Sequence, residues 1–348
     1  MSKIRRRIAW ALGLVAALLA VGVYRYTHRP LYRIPSDPTQ ADSIRFFALG
    51  DQGSGGFRQW QVAHGMERLA ERQGQLDFVL LLGDNLYRAA DAGADSQEWL
   101  SKFERVYAGT YLSVVPFYAV LGNHDHGEVE EKGGGAADAA GSPPRRPLAQ
   151  AEIEYARRHL GSNRWRMPDQ WYSADFGKAG ARPLLRVVFI DTSLKPELLA
   201  RQAEFIRQAF REGADAPVWR IVVGHHPVNT YGAHRGKVAG VAAALLPALR
   251  DAGVDIYLSG HDHNQQVIVR DGEPFQFIDG GGGAALYPIR EHPADLIFAR
   301  SGYGFVSARV APGFMEIGHA DEKGGRVSSF RIERDCPRGQ ASCLVAVP

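Results

Sequence analysis

Cysteine is nearly absent from this chain of 348 residues: Cys336 and Cys343 are the only two. That excludes a cysteine-rich zinc scaffold and a small fold stapled by several disulfides. One short-loop bridge fits an oxidising compartment, and two unpaired thiols fit a reducing one. Acidic residues are missing from the first 33 positions, which hold seven Lys and Arg side chains. The other 315 residues carry 34 basic and 38 acidic side chains, a net of −4, so the basic excess belongs to the N-terminus. The body therefore gives no electrostatic case for binding nucleic acid. Long apolar runs are missing beyond the N-terminus, which excludes a multi-span membrane protein. A content of 45% hydrophobic and 23% charged residues excludes disorder throughout. No internal repeat is visible.

What is present begins with Ile8–Tyr24, 17 residues without a charge behind the basic segment 1–7. At 1.5 Å per residue this makes about 25 Å of helix, near the lower limit for crossing a bilayer. A basic start followed by an apolar stretch also describes a signal peptide. Small-x-small cleavage patterns are poor here, so an uncleaved anchor over residues 8–24 is the preferred reading. The body would then lie on the periplasmic or extracellular face. Arg5-Arg6-Arg7 offers a twin-arginine export signal as a lesser alternative. Residues 25–40, with Pro30, Pro35 and Pro38, read as a linker.

The body repeats one design. Short apolar runs at 45–49, 78–82, 116–121, 185–190, 221–223 and 256–258 each stop at a small or polar residue. Runs of this length are how strands buried on both faces read. Helical patterns fall between them, at about 59–72, 97–107, 152–159, 197–211 and 238–252. The alternation implies an α/β core with parallel or mixed sheets. Segments 305–310 and 327–332 add candidate strands near the C-terminus. Residues 127–150, with three consecutive glycines and Pro143-Pro144-Arg145-Arg146-Pro147, read as a flexible loop.

In α/β sheets functional groups collect beyond the carboxyl ends of strands. Asp51, Asp84, Asn123, His225, His261 and His263 stand there, and Tyr87 follows Asp84 by three. Taken singly, each has an ordinary use: an Asp caps a turn, a His satisfies a polar contact, a Tyr packs. Together, carboxylates, an amide, imidazoles and a phenol are ligands for hard to borderline metals. The set is too large for one ion with open positions and suits two ions sharing a carboxylate. Two-metal centres serve in-line displacement at phosphorus. The glycines before these residues are expected to let the backbone turn sharply and bring each side chain inward.

These motifs resemble those of the calcineurin-like metallophosphoesterases, and more closely the small, tartrate-resistant type of purple acid phosphatase. That family is marked by GDxG, GDxxY, GNH[DE], VxxH and GHxH. The chain has, in the same order, Gly50-Asp51-Gln52-Gly53, Gly83-Asp84-Asn85-Leu86-Tyr87, Gly122-Asn123-His124-Asp125, Val222-Val223-Gly224-His225 and Gly260-His261-Asp262-His263. Weaker similarity at 164–168 and 302–305 carries the resemblance to about residue 332. It implies a four-layer α/β sandwich over residues 41–332, two mixed β-sheets flanked by helices. Residues 333–348 would form a C-terminal tail holding the two cysteines.

The resemblance also implies a ligand set. Asp51, Tyr87 and His263 would hold Fe(III), a hard ion suited to a phenolate. Asn123, His225 and His261 would hold a divalent iron, zinc or manganese, and Asp84 would bridge the two. Most of the wider superfamily has Asp-x-His in the first motif; here Gly53 stands in place of that histidine. The implied activity is acid phosphatase chemistry, attack of a metal-bound hydroxide on a phosphomonoester. His124 is the first candidate to bind the phosphate or protonate the leaving group, and His234 the second.

The rival readings are a phosphodiesterase or other specialised phosphoester hydrolase, a non-hydrolytic iron redox protein, and an inactive ectodomain. The expected partners are a phosphomonoester and, through the N-terminal helix, a membrane. Nucleic acid is not expected, and the chain is expected to be a monomer. His226 stands where close relatives usually have Tyr. The run Asp279–Gly283 is read as a flexible turn, with close backbone approach to the metals as the alternative. His126 is a candidate for the layer behind the ligands. His28, His64, His159, His292 and His319 are assigned no role.

Overall fold

The computed structural model describes residues 3–27, 40–87, 93–127, 148–337 and 339–347. Among these, fifteen strands make two mixed sheets. The centre of the first is a parallel set, β1 (Ile44–Leu49), β2 (Phe78–Leu81), β3 (Phe117–Ala119) and β4 (Trp165–Arg166). Beyond β1 the sheet continues antiparallel with β12 (Gly304–Val310), β13 (Phe314–Asp321), β14 (Phe330–Glu333) and β15 (Val345–Ala346). The second sheet has a parallel core of β6 (Arg182–Phe189), β7 (Trp219–Val223), β8 (Ile256–Ser259) and β10 (Phe275–Asp279). Its flanks are antiparallel: β5 (Tyr172–Ala179) on one side, β9 (Gln265–Ile268) and β11 (Leu296–Arg300) on the other.

The sheets face each other across an apolar core. Phe46 of β1 stacks on Phe78 of β2 with centroids 5.2 Å apart, and Phe78 meets Phe176 of β5 in the opposite sheet at 3.9 Å. Buried aromatics of this size supply much of the area that drives the layers together. Helices close the outside. The helix α2 (Phe57–Gln73) buries Val62, Ala63, Met66 and Ala70 and stops at Gly74, which adopts φ 69° and bonds back to Ala70. On the second sheet, α4 (Pro196–Ala209) and α5 (Ala239–Asp251) set Ile206, Leu245 and Leu249 against Val188, Val222 and Tyr257. A shorter helix, α3 (Leu148–Arg157), precedes β4. This is the expected four-layer sandwich.

The N-terminal helix α1 (Lys3–Thr27) lies apart from this core, and its apolar side chains Trp10, Leu14 and Leu18 are exposed. Over Arg5–Val23 its mean hydropathy is 1.7, enough by length and composition to cross a membrane; a signal sequence meets the same test. Of the expected linker, residues 28–39 lie outside the described residues, as do 128–147 of the expected loop and His28.

Three local expectations change. The helix expected at about 97–107 is a π-helical turn at Leu100–Glu104. Its side chains are spent on tertiary contacts: Lys102 donates to the Tyr87 carbonyl, and Glu104 accepts from Arg164, Tyr155 and Ser162. Residues 148–150, expected in the loop, begin α3. Residues 333–348 are more than a tail, since β15 pairs with β14 and buried Cys343 and Leu344 join the core. Cys336 and Cys343 are joined by a disulfide. Closing so short a loop is worth about 2–3 kcal/mol in the unfolded chain. A Cys336→Ser, Cys343→Ser double variant should lower the unfolding free energy by that amount, read as a lower denaturant midpoint at unchanged slope.

Candidate metal centre

Parallel strands deliver their carboxyl ends to one edge of each sheet. Asp51, Asp84 and Asn123 follow β1, β2 and β3; His225 and His261 follow β7 and β8. The two sets meet because the sheet edges touch. Gly50 donates its N–H to the Asp279 carbonyl at 2.8 Å, Gly282 donates to the Gly50 carbonyl at 3.0 Å, and a Cβ on Gly50 would lie 3.0 Å from the Gly260 Cα.

Of the motif glycines, Gly83 makes a left-handed turn, at φ 92°. Asp51, Asp84 and His261 themselves adopt φ 59°, 55° and 67°. Left-handed backbone costs a non-glycine residue energy and collects at functional sites. Gly122, Gly260 and Gly83 also leave room for a ligand candidate from another strand. A Cβ on Gly122 would come 2.2 Å from Asp84 Oδ1. One on Gly260 would come 2.6 Å from Asp51 Oδ2, and one on Gly83 would come 2.6 Å from His225 Nδ1. The expected sharp glycine turn is thus present at Gly83, while at Asp51 and His261 the ligand candidate itself takes the left-handed backbone.

All seven ligand candidates converge. The Tyr87 hydroxyl is 3.0 Å from Asp51 Oδ1, 3.0 Å from Asp84 Oδ2 and 3.2 Å from His263 Nε2. His263 Nε2 lies 3.1 Å from Asp51 Oδ1. Asp51, Asp84 and His263 offer donor atoms within 4.8 Å of one another, all buried. On the other side of Asp84, His225 Nε2 is 3.4 Å from Oδ1 and 3.1 Å from Asn123 Oδ1, with the His261 ring centroid 5.1 Å from that of His225. Asp84 thus turns one oxygen to each group. His225 and His263 engage the Leu82 and Ala285 carbonyls through Nδ1, at 2.8 and 2.7 Å. That fixes both rings with Nε2 facing the centre.

The electrostatics describe a cation-seeking pocket. Burial pushes the Tyr87 phenol well above its ordinary pKa, and the Asp51 and Asp84 carboxylates push it further. Burial also acts to raise Asp84, but the facing His225, with His124, holds it below the usual carboxylate range. Burial lowers His225, yet Asp84 lifts it to about 10. Burial and the neighbouring imidazoles His226 and His225 drive His261 well below its ordinary value. Two adjacent buried carboxylates beside a phenol fit metal ions, whose charge would offset what burial makes costly.

His124 sits over the centre, its ring centroid 4.7 Å from that of Tyr87 and its Nε2 3.9 Å from Asp84 Oδ2. His234 is buried, stacked on His261 at 4.0 Å, with Nδ1 3.3 Å from Asp262 Oδ1. His226 bonds Thr192 Oγ1 at 2.9 Å and lies 4.2 Å from the His261 ring. His126 pairs with buried Asp191 at 2.7 Å. The glycine run is close-packed rather than flexible, since a Cβ on Gly280 would meet the Asp262 carbonyl at 2.3 Å and Asp51 Oδ2 at 2.9 Å. Sequence reasoning missed the layer beneath the ligands. Asp125 accepts N–H groups from Gly122, Asn85 and Leu86, and Glu152 accepts from the Asn85 amide. Burial, then their mutual charge, keeps Glu152 well above the usual range. Asp125 and Asn85 lie inside quoted motifs, so their place there was the available signal; Glu152 had none. Tyr287, which stacks on His263 at 4.2 Å with planes 6° apart, had none either.

A family model described as calcineurin-like phosphoesterase matches residues 44–265, which contain all five motifs. Purple acid phosphatase 4 of Arabidopsis thaliana is 30% identical over 304 residues, 84% of each chain. The chain belongs to the calcineurin-like phosphoesterases and, within them, to the purple acid phosphatases. Tartrate-resistant acid phosphatase type 5 of Homo sapiens is 28% identical over 333 residues, 85% of this purple acid phosphatase and 94% of that relative. Purple acid phosphatase PPD1 from yellow lupin (Lupinus luteus) shares the fold, with a TM-score of 0.62 at 17% identity, covering 88% of this chain and 58% of that one.

The Gly122 contact gives a test of the interlock. Gly122→Ala adds no backbone strain, because φ is not positive there, but its Cβ must displace the Asp84 carboxylate. The variant should keep its circular dichroism spectrum, lose about 1–3 kcal/mol of stability to overpacking, and bind less metal after dialysis. Undiminished metal content would refute the interlock.

Proposed function

We propose that this purple acid phosphatase hydrolyses phosphomonoesters at a dinuclear centre of Fe(III) and a divalent iron, zinc or manganese. Asp51, Tyr87 and His263 would hold the first ion; Asn123, His225 and His261 the second; Asp84 both. The observation that carries this reading is the division of the Asp84 carboxylate, one oxygen toward Tyr87 and the other toward His225. When bound, the ions supply Lewis acidity: they lower the pKa of water and offset phosphoryl charge.

The chain's own groups then have distinct tasks. The carbonyls of Leu82 and Ala285 hold the His225 and His263 rings in register, so the donor atoms are preorganised. His124 is partly exposed above the centre, where its Nε2 can hydrogen-bond a phosphoryl oxygen or hand a proton to the leaving alkoxide. Its backbone N–H donates to Asp84 Oδ1 at 3.0 Å, which ties the position of that ring to the shared carboxylate. His234, stacked on His261 and backed by Asp262, would line the same side. The α1 helix would anchor the protein with its body outside the cytoplasm, a compartment that suits the Cys336–Cys343 bridge.

The deciding measurement is a visible absorption spectrum with metals quantified on the same sample. A ferric phenolate band that disappears in Tyr87→Phe supports the assignment, whereas two metals per chain without that band would replace Fe(III). Asp84→Ala should lose metal and turnover together. His124→Ala should retain both metals while kcat falls about 10²–10⁴-fold. Turnover of diesters exceeding that of monoesters would overturn the substrate class.

A further inference from the structure

The outer face of the first sheet holds a second polar site, a cavity of about 290 Å³. It lies toward the opposite strand ends from the metal centre. Arg45 of β1, which lines it, precedes Asp51 in the chain by six residues, roughly 20 Å if extended. The register of the strands explains how it forms. Arg45, Arg309, Glu316 and Arg331 stand in one row across β1, β12, β13 and β14. The next row on that face runs Phe47, Ser307, Gly318. Gly318 has no side chain, and a Cβ there would meet the Ser328 carbonyl at 2.1 Å. The Ser328 backbone closes the place of that side chain, and the hollow opens beside it over the small Ser307, bordered by Leu69 and Gln73 of α2 from above and by Arg326 and Ser328 from the side.

The charges in this hollow are unbalanced. Arg45 faces Arg309 directly across paired strands, an arrangement that destabilises a sheet unless something offsets it. Burial, then the Arg309 charge, pushes the Arg45 pKa down. Glu316 is the one acid among the lining residues, and it is already paired with Arg331 at 3.3 Å. Asp77 accepts the Arg45 backbone N–H at 2.7 Å. Arg326 adds a third guanidinium to the wall. Arg309 Nε is buried and finds no hydrogen-bond partner among the described residues. Ser307 Oγ takes an N–H from Gln73 at 3.2 Å, leaving its own hydroxyl hydrogen to donate.

We propose that this cavity is an anion site for a phosphate-type oxyanion, separate from the metal centre. Guanidinium forks and a serine hydroxyl are donors only toward such a ligand, and they match tetrahedral oxyanions in geometry and charge. The volume exceeds one phosphate group, so a phosphomonoester or a phospholipid headgroup shares the required chemistry.

The test titrates the full chain, held in neutral detergent, with inorganic phosphate by calorimetry. Two classes of site are expected in the wild type. Arg45→Gln and Arg309→Gln should each weaken one class at least tenfold and leave the other class and phosphomonoester turnover at low phosphate unchanged. Neither variant should unfold, because each relieves the repulsion between two facing guanidiniums; a melting temperature without phosphate no lower than wild type confirms that. Parallel titrations with dihexanoyl phosphatidic acid and dihexanoyl phosphatidylcholine separate the sources. Arginine-dependent binding of inorganic phosphate assigns a soluble ligand. Arginine-dependent binding of the phosphatidic acid alone assigns a lipid headgroup. Binding confined to the metal centre, or a second class indifferent to both substitutions, overturns the proposal.

Discussion

The placement of one carboxylate, Asp84, governs the rest of the site. It is buried, sits in left-handed backbone, and is touched from three strands: Tyr87 beyond its own β2, the Gly122–His124 turn after β3, and His225 after β7. No single strand could supply these contacts. The missing Gly122 side chain makes the space, the His124 N–H fixes one oxygen, and the Tyr87 hydroxyl fixes the other. The same relation recurs between Gly260 and Asp51 across the two sheets. The motifs are therefore not independent modules, each presenting its own residue. They interlock, and the glycine of one motif is the clearance for the acid or imidazole of another.

That interlock concentrates negative charge where water is excluded, which proteins tolerate only with compensation. Against burial, Asp84 lifts the facing His225, and Asp51 with Asp84 lifts His263, while burial and the same two carboxylates raise Tyr87. Coordinating ligands need the opposite: neutral imidazoles and an ionised phenol. Metal uptake would therefore exchange protons for cations at geometry already in place. Asp125 and Glu152 keep that geometry from relaxing. Their carboxyls take up the Gly122, Asn85 and Leu86 N–H groups and the Asn85 amide, so the backbone just after Asp84 and the facing Gly122 turn are anchored from behind.

Much of this was legible in the sequence because strands buried on both faces leave near-continuous apolar runs, and β1, β2, β6, β7 and β8 do. The ligand candidates were legible because each stands just past such a run. What stayed hidden has physical reasons. Strand β13 contains Gly318, His319 and Glu316, and β5 contains Asp175, Gly177 and Lys178, so neither reads as apolar. The turn at 100–104 yields its local preference to Lys102 and Glu104 contacts made far along the chain. The glycine run at 280–283 reads as flexible from composition, yet its packing depends on what folds over it. Glu152 lies on a helix beyond a long loop, and no spacing rule connects it to Asp84.

The two-sheet architecture adds a constraint that the ligand list alone does not express. Asp51, Asp84, Tyr87 and Asn123 come from the first sheet, while His225, His261 and His263 come from the second. Polar contacts cross the shared edge, among them backbone hydrogen bonds at Gly50 and Asp51, the His261 N–H donated to Asp51 and the His225 contact with the Leu82 carbonyl, whereas the interior behind it is apolar and tightly packed. An apolar core fixes the distance between sheets but is weakly directional. Direction at the edge comes from polar groups with definite geometry, of which the ligands are the largest set. The candidate metal site thus also fastens the edge that forms it, and the left-handed backbone at Asp51, Asp84 and His261 is stored where that fastening can hold it.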